Sequence, residues 1–214
     1  MSDDRRTYSR QPEERRRDSL IGAAIDLMAE GGIKAASVRA IAERAGVTPG
    51  LIRHYFRSKD DLTREAFRHM MDRMTAESTA LAGAVTVEDD PKAALVAIVR
   101  ASLRPPVMQD EKVHQWAMFL HMIRQDPSLR DVHEEAYLGF RDRLQAVIQC
   151  LPGQTDATRA RSLAIACNAV IDGLWLEGGT LPNHFEPGEI ERIGLASVSA
   201  ILGISLTPDE EGPR

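Results

Sequence analysis

Residues 37–62 read SVRAIAERAGVTPGLIRHYFRSKDDL, and this stretch decides the fold. Ser37 precedes a stripe of Val38, Ile41, Ala42 and Ala45, one apolar face of a short helix over 38–45. Ser37 serves as its N-cap and Gly46 as its stop. Thr48 followed by Pro49 is a cap with proline in the first turn, and it starts a second helix over 49–55. Ser58 opens a third, with Asp60 and Asp61 in the first turn, where the helix dipole favours anions. Gly46, in the turn Ala45-Gly46-Val47, takes positive φ without strain, and the small Ala42 and branched Val47 suit a close helix crossing. Two short helices joined this way are helix-turn-helix grammar, in which the second helix faces outward to enter a DNA major groove.

The second helix suits that position. Leu51, Ile52 and Phe56 face inward; Thr48, Pro49, Gly50, Arg53, His54 and Tyr55 form the outward set. Arg53 can fork onto a guanine edge or a phosphate, and Thr48 can meet a base or a thymine methyl. Gly50 lets the backbone approach closely. Tyr55 and Lys59 can pin phosphates on the two sides of the groove, which sets register rather than sequence. His54 reads equally as a solvated surface residue. Arg15, Arg16 and Arg17 are interleaved with Glu13, Glu14 and Asp18, and read either as a solvated face or as phosphate contacts.

Upstream, Leu20, Ile21, Ala24, Leu27 and Met28 predict a helix over 13–30 that stops at Gly31-Gly32, after a polar, flexible arm over 1–12. Downstream, Leu62, Ala66, Phe67, Met70, Met71 and Met74 carry the third helix to about Ala82. GAVTVEDD at 83–90 breaks the pattern. Asp90-Pro91 starts a helix that ends before Pro105-Pro106, and another covers 110–125. Asp126-Pro127 starts one over 128–150. Thr155 or Asp156 caps one over 156–177, ended by Gly178-Gly179. Pro187 starts the last, over 188–203. No useful β-alternation appears, so the fold class is all-α with about nine helices. Four segments follow: the arm over 1–12, a helix-turn-helix domain over 13–57, a larger helical domain over 58–206 and a disordered tail over 207–214.

Net charge over the 214 residues is −5, but it is unevenly spread. Residues 1–60 carry 12 Lys and Arg against 9 Asp and Glu, a net of +3; residues 61–214 carry 15 against 23, a net of −8. The basic share coincides with the helix-turn-helix and steers it towards phosphates. No apolar run reaches the roughly 18–20 residues of a membrane span, and the N-terminus has no signal-peptide core. Cys150 and Cys167 read as packing residues, and the expected location is the cytoplasm. Phosphate loops, HExxH pairs and CxxC motifs are absent from the sequence, so neither a cofactor nor a metal site is expected. His114, His121 and His133 lack the i, i+4 spacing of a helical metal pair.

Ile41-Ala42-x-x-Ala45-Gly46-Val47, then Gly50, then Tyr55-Phe56-x-x-Lys59-x-x-Leu62 resemble the pattern of the TetR family of transcriptional regulators, a likeness that covers residues 13–62. The resemblance implies DNA contacts from Thr48, Arg53, Tyr55 and Lys59, with Ser37 and Arg39 meeting the backbone. Many members carry an aromatic where this chain has Arg53, so no operator preference follows. Trp116, Arg124-x-Asp126-Pro127-x-Leu129, His133, Tyr137 and Ile171-Asp172-Gly173-Leu174-Trp175 resemble the BetI-type branch, which includes repressors of choline-to-glycine-betaine genes. The resemblance implies a small-molecule effector, dimerisation through the last two long helices, and a near-palindromic double-stranded operator. Effector binding would move the helix that starts at Ser58 and release the DNA.

The residues themselves support two readings of the C-terminal half. Trp116, Phe119, Tyr137, Phe140 and Trp175 are five of the ten aromatics. They either cage choline or another cationic ligand by cation–π attraction, with Asp172, Glu135 or Glu177 as counter-charge, or they are core. A different apolar ligand would suit the same set. Apolar residues lie nearly all round the helices at 156–177 and 188–203, which favours a helix–helix homodimer. An architectural DNA binder without an effector is the alternative function; no nucleophile–base arrangement supports an enzyme.

Overall fold

Local signals set most helix starts in the computed structural model, which describes residues 13–82, 89–124, 126–154 and 156–206, with 74–82 described by their backbone alone. Among the described residues there are nine helices and no strands: α1 Glu13–Ala35, α2 Val38–Arg44, α3 Pro49–Tyr55, α4 Lys59–Ala82, α5 Pro91–Ser102, α6 Asp110–Ile123, α7 Pro127–Gln149, α8 Ala157–Thr180 and α9 Glu189–Leu202. The expected arm over 1–12, the Met74 side chain, most of the 83–90 break, Thr155 and the tail over 207–214 lie outside the described residues. Carboxylates cap three helices: Asp90 accepts from Ala93 N at 2.9 Å, Asp126 from Ser128 N at 2.9 Å and Asp156 from Arg159 N at 2.7 Å.

Two compact units divide the chain between His69 and Met70, inside α4. The sequence reading set this boundary at 57/58. The first turns of α4 stay with the N-terminal unit because side chains tie them to α1: Arg17 pairs with Glu65 and lies 5.6 Å from the centre of the Phe56 ring. Within that unit α1 loses helical geometry at Gly31 and Gly32, where Gly32 takes φ 69°. Leu20, Ile21, Met28, Ile41, Ile52, Phe56, Leu62 and Phe67 are buried there.

The C-terminal unit is built around α8, which packs along α7 and α9 and touches α5 and α6. Its core includes Leu95, Leu103, Leu144, Ile148, Ala164, Cys167, Ile171, Val198 and Leu202. The expected stop at Gly178-Gly179 is corrected: α8 continues to Thr180 and both glycines are buried within it. A Cβ on Gly178 would lie 2.6 Å from Met108 Sδ, and one on Gly179 would lie 2.2 Å from Val113 Cγ2. These glycines let neighbouring chain approach the helix; they do not end it.

Candidate nucleic-acid interface and ligand cavity

Ser37 Oγ accepts from Ala40 N at 3.1 Å and caps α2. At the other end Gly46, with φ 65°, donates to Glu43 O at 3.1 Å, and Val47 N donates to Ala42 O at 2.9 Å. This pair of bonds is a Schellman turn, and it turns the chain from α2 into α3. Arg44 clamps α2 to α1 through two bonds to Glu30, at 2.9 and 2.7 Å. The hydrogen bond from Arg44 holds the Glu30 carboxyl below its usual range. Entry to α4 is fixed reciprocally: Asp61 N donates to Ser58 Oγ at 3.0 Å, and Asp61 Oδ2 accepts from Arg57 N at 3.0 Å. That second bond is the main cause of a lowered Asp61 pKa.

Ile52 and Phe56 are buried, while Ser37, Arg39, Thr48, Pro49, Gly50, Arg53 and His54 are exposed and Tyr55 is partly exposed. Thr48 precedes α3 yet makes no capping bond with its side chain. His54 and Tyr55 meet edge to face at 5.1 Å. Lys59 is engaged within the unit, since its Nζ donates to Ile33 O at 2.9 Å. Arg17 is likewise held by Glu65 and Phe56, which favours an intramolecular role for that member of the arginine run.

In the C-terminal unit a cavity of about 430 Å³ opens between α6, α7 and α8. Trp116, Tyr137, Phe140, Asp172 and Trp175 line it; Phe119 is fully buried and is not part of the lining. Phe119 lies on the inward face of α6, a distinction that spacing alone does not make. Met71, Ser102, Val107, Ala117, Leu120, His133, Asn168, Ile171, Gly173 and Leu176 complete the wall. Glu135 and Glu177 are exposed and stand outside it. Asp172 is thus the carboxylate of the cavity.

A short network holds that carboxylate. Tyr137 Oη donates to Asp172 Oδ2 at 2.5 Å. Asn168 Nδ2 donates to Tyr137 Oη at 2.7 Å and to Asp172 Oδ2 at 2.9 Å. Both bonds to Asp172 end on Oδ2. Burial raises the Asp172 pKa, and the bonds from Tyr137 and Asn168 oppose it. Burial, followed by the Asp172 contact, pushes the Tyr137 phenol up to about 12. Trp175 Nε1 donates to Val107 O at 3.0 Å, which fixes the indole plane. His133 lies between Trp116 and Tyr137, with ring centres 5.2 and 5.3 Å away. Arg143 lies 5.8 Å from the centre of the Phe140 ring. Among the described residues no three His, Cys, Asp or Glu side chains group as a metal site, and no helix is long and apolar enough to cross a membrane.

Asn168 was missed in the sequence reading. Its signal was a lone amide four residues before Asp172 in an apolar run. His133 was named in the BetI-type pattern, but the only chemistry weighed for it was metal ligation.

An aromatic-walled cavity with one partly buried carboxylate can hold a small organic molecule, and a helix-turn-helix can hold duplex DNA. Comparisons with known proteins define the class. Residues 20–66 match the model for bacterial regulatory proteins of the tetR family, and residues 91–203 match that for the C-terminal part of the BetI-type transcriptional repressor. The HTH-type transcriptional regulator BetI of Burkholderia mallei is 31% identical over 164 residues, covering 76% of this chain and 81% of the relative. A solved transcriptional regulator from Pseudomonas aeruginosa PAO1 is 27% identical, with a TM-score of 0.80 over 94% of this chain and 97% of its own. A Saccharomonospora viridis regulator solved in complex with choline shares the fold at 21% identity, with a TM-score of 0.67 over 85% of this chain and 94% of its own. The class is a DNA-binding transcriptional regulator, and these relatives are regulators rather than enzymes. Within that class, the chain belongs to the TetR family and carries a BetI-type C-terminal domain.

Proposed function

We propose that this protein is a homodimeric repressor whose operator binding is relieved by a small organic cation of the choline class. The observation that carries the effector reading is the placement of Asp172: a partly buried carboxylate in a cavity walled by Trp116, Tyr137, Phe140 and Trp175. A quaternary ammonium is held there by ring faces and one counter-charge, without needing N–H donors. The choline bound by the S. viridis regulator agrees with this chemistry. Met71 lines the cavity from α4, the helix that begins in the DNA-binding unit, and offers a route from effector to operator. Any release requires the effector to bind one state better than the other.

For the operator, α3 supplies Thr48, Pro49, Gly50, Arg53, His54 and Tyr55. Ser37 and Arg39 from α2 and Lys59 from α4 meet the backbone, and Lys59 adds its DNA contact to the bond it makes with Ile33. Exposed apolar side chains support dimerisation through the outer faces of α8 and α9: Ile165 and Ala169 on the first, Ile193 and Ala196 on the second. Two recognition helices related by a two-fold axis then read a near-palindromic site in the cytoplasm.

Trp116 and Trp175 are the only tryptophans, and both line the cavity, so intrinsic fluorescence reports on it directly. Titration with choline and with its uncharged isostere 3,3-dimethyl-1-butanol tests the reading. Choline should quench or shift the emission at concentrations where the alcohol does not, and the same additions should release a fluorescent operator duplex. Equal response to the two compounds refutes a cation site.

A further inference from the structure

The cation reading leaves one wall of the cavity without a task. Of the polar side chains there, most are spent. Ser102 Oγ donates to Ile98 O, Trp175 Nε1 donates to Val107 O, and Tyr137 Oη donates to Asp172. Both amide donations of Asn168 end on Tyr137 and Asp172. The Asn168 Oδ1 is unpaired too, but that residue is 2% exposed and its amide is already held by Tyr137 and Asp172. His133 differs. It is half-buried, it lines the cavity, and its Nδ1 is buried without a hydrogen-bond partner. Among the described residues its Nε2 has no hydrogen-bond partner either.

The imidazole cannot easily swing away, because Trp116 and Tyr137 flank it at 5.2 and 5.3 Å. Burial also lowers its pKa, against a smaller opposing effect of Glu134, so the ring is neutral at neutral pH. A neutral imidazole offers one donor and one acceptor and carries no charge that would repel a cation. Its rings-on-both-sides setting gives a fixed plane, as a selective contact requires.

Resting on the cation reading, we propose that His133 is the specificity-determining residue of the cavity. It hydrogen-bonds a neutral polar group, such as a hydroxyl, on the effector arm that leads away from the ammonium at Asp172. The effector is then a hydroxyl-bearing cation rather than a bare tetraalkylammonium. A site built to hydrogen-bond a ligand hydroxyl rejects the analogue that lacks it, because the protein group is left unpaired.

The test uses the full-length protein, tryptophan emission and two cations of equal shape: choline and propyltrimethylammonium, in which a methyl replaces the hydroxyl. The wild type should bind choline at least about tenfold more tightly. His133→Phe should bring the two affinities to within about twofold, by weakening choline while leaving propyltrimethylammonium unchanged. His133→Gln, which keeps a hydrogen-bonding amide, should restore part of the preference, and circular dichroism should show both variants folded. Equal wild-type affinity for the two cations overturns the assignment and leaves the cation site standing. So does a His133→Phe variant that loses both cations alike while His133→Gln restores no preference. Failure of both cations to bind overturns the cation reading itself, and the role of His133 with it.

Discussion

Replacing Gly179 with alanine tests whether the paired glycines of α8 exist for close packing. The new Cβ would lie 2.2 Å from Val113 Cγ2 and 3.3 Å from Val113 Cβ. Carbon atoms in contact sit at about 3.5–4.0 Å, so the first separation must open by more than an ångström. Val113 is 3% exposed and branched at Cβ, so it cannot rotate away cheaply. Overpacking of this kind costs about 1–3 kcal/mol. Alanine also favours the helix over glycine by about 0.5–1 kcal/mol, which masks part of that cost. Gly139→Ala in α7 supplies the reference, because a Cβ there meets nothing within 4 Å and should give only the helix gain. The two variants should therefore differ in unfolding free energy by the packing cost alone, about 1–3 kcal/mol. Urea unfolding followed by circular dichroism reads this difference at the C-terminal unit. Adding Val113→Ala should recover part of the loss, as expected for two residues in direct contact. A Gly179→Ala protein as stable as Gly139→Ala, with no coupling to Val113, refutes the packing argument and restores a role in helix termination.

Other perturbations test the two sites. Arg53→Ala should weaken operator binding by about 1–3 kcal/mol, measured by anisotropy at fixed salt, if the guanidinium reads a base; unchanged affinity removes it from the interface. Gly46→Val forces a branched side chain to φ 65° with no steric neighbour to complicate the reading. It should destabilise the N-terminal unit by about 1–2 kcal/mol, seen as a lowered urea midpoint. Choline affinity should be level well above the raised pKa of Asp172 and fall towards acid by up to about tenfold per pH unit. The sign follows because protonation removes the counter-charge, and protonation of His133 at lower pH adds repulsion in the same direction. Asp172→Asn should bind choline weakly at every pH and remove the carboxylate part of the slope.

Local chemistry explains why so much of the fold was legible. Ser37, Asp90, Asp126 and Asp156 accept hydrogen bonds from backbone two or three residues away, so their capping roles depend on nothing distant. Gly46 shows its role through φ alone. The outward face of α3 was legible for a similar reason: on a seven-residue helix, burying Ile52 leaves Arg53 and His54 outside. Cavity residues are another matter. Trp116, Tyr137 and Trp175 were named from their type, but Phe119 has the same type and spacing and lies in the core. Whether an aromatic on α6 faces a void or a neighbour depends on where α7 and α8 pass, which α6 does not encode.

By itself, then, the sequence determined what short range controls: about nine helices, the capping side chains of Ser37, Asp90, Asp126 and Asp156, the glycine turn between α2 and α3, and the basic charge of the N-terminal sixty residues. Tertiary structure decided what long range controls. Asn168 and Tyr137 are 31 residues apart, and only the packing of α7 on α8 brings them to 2.7 Å beside Asp172. Gly178 and Gly179 carry a stop signal in isolation, yet Met108 and Val113 press so close that only glycine fits within a continuing helix. Lys59, which faces DNA by motif, finds Ile33 O within its own unit. In each case the partner comes from another element, and no local periodicity carries that information.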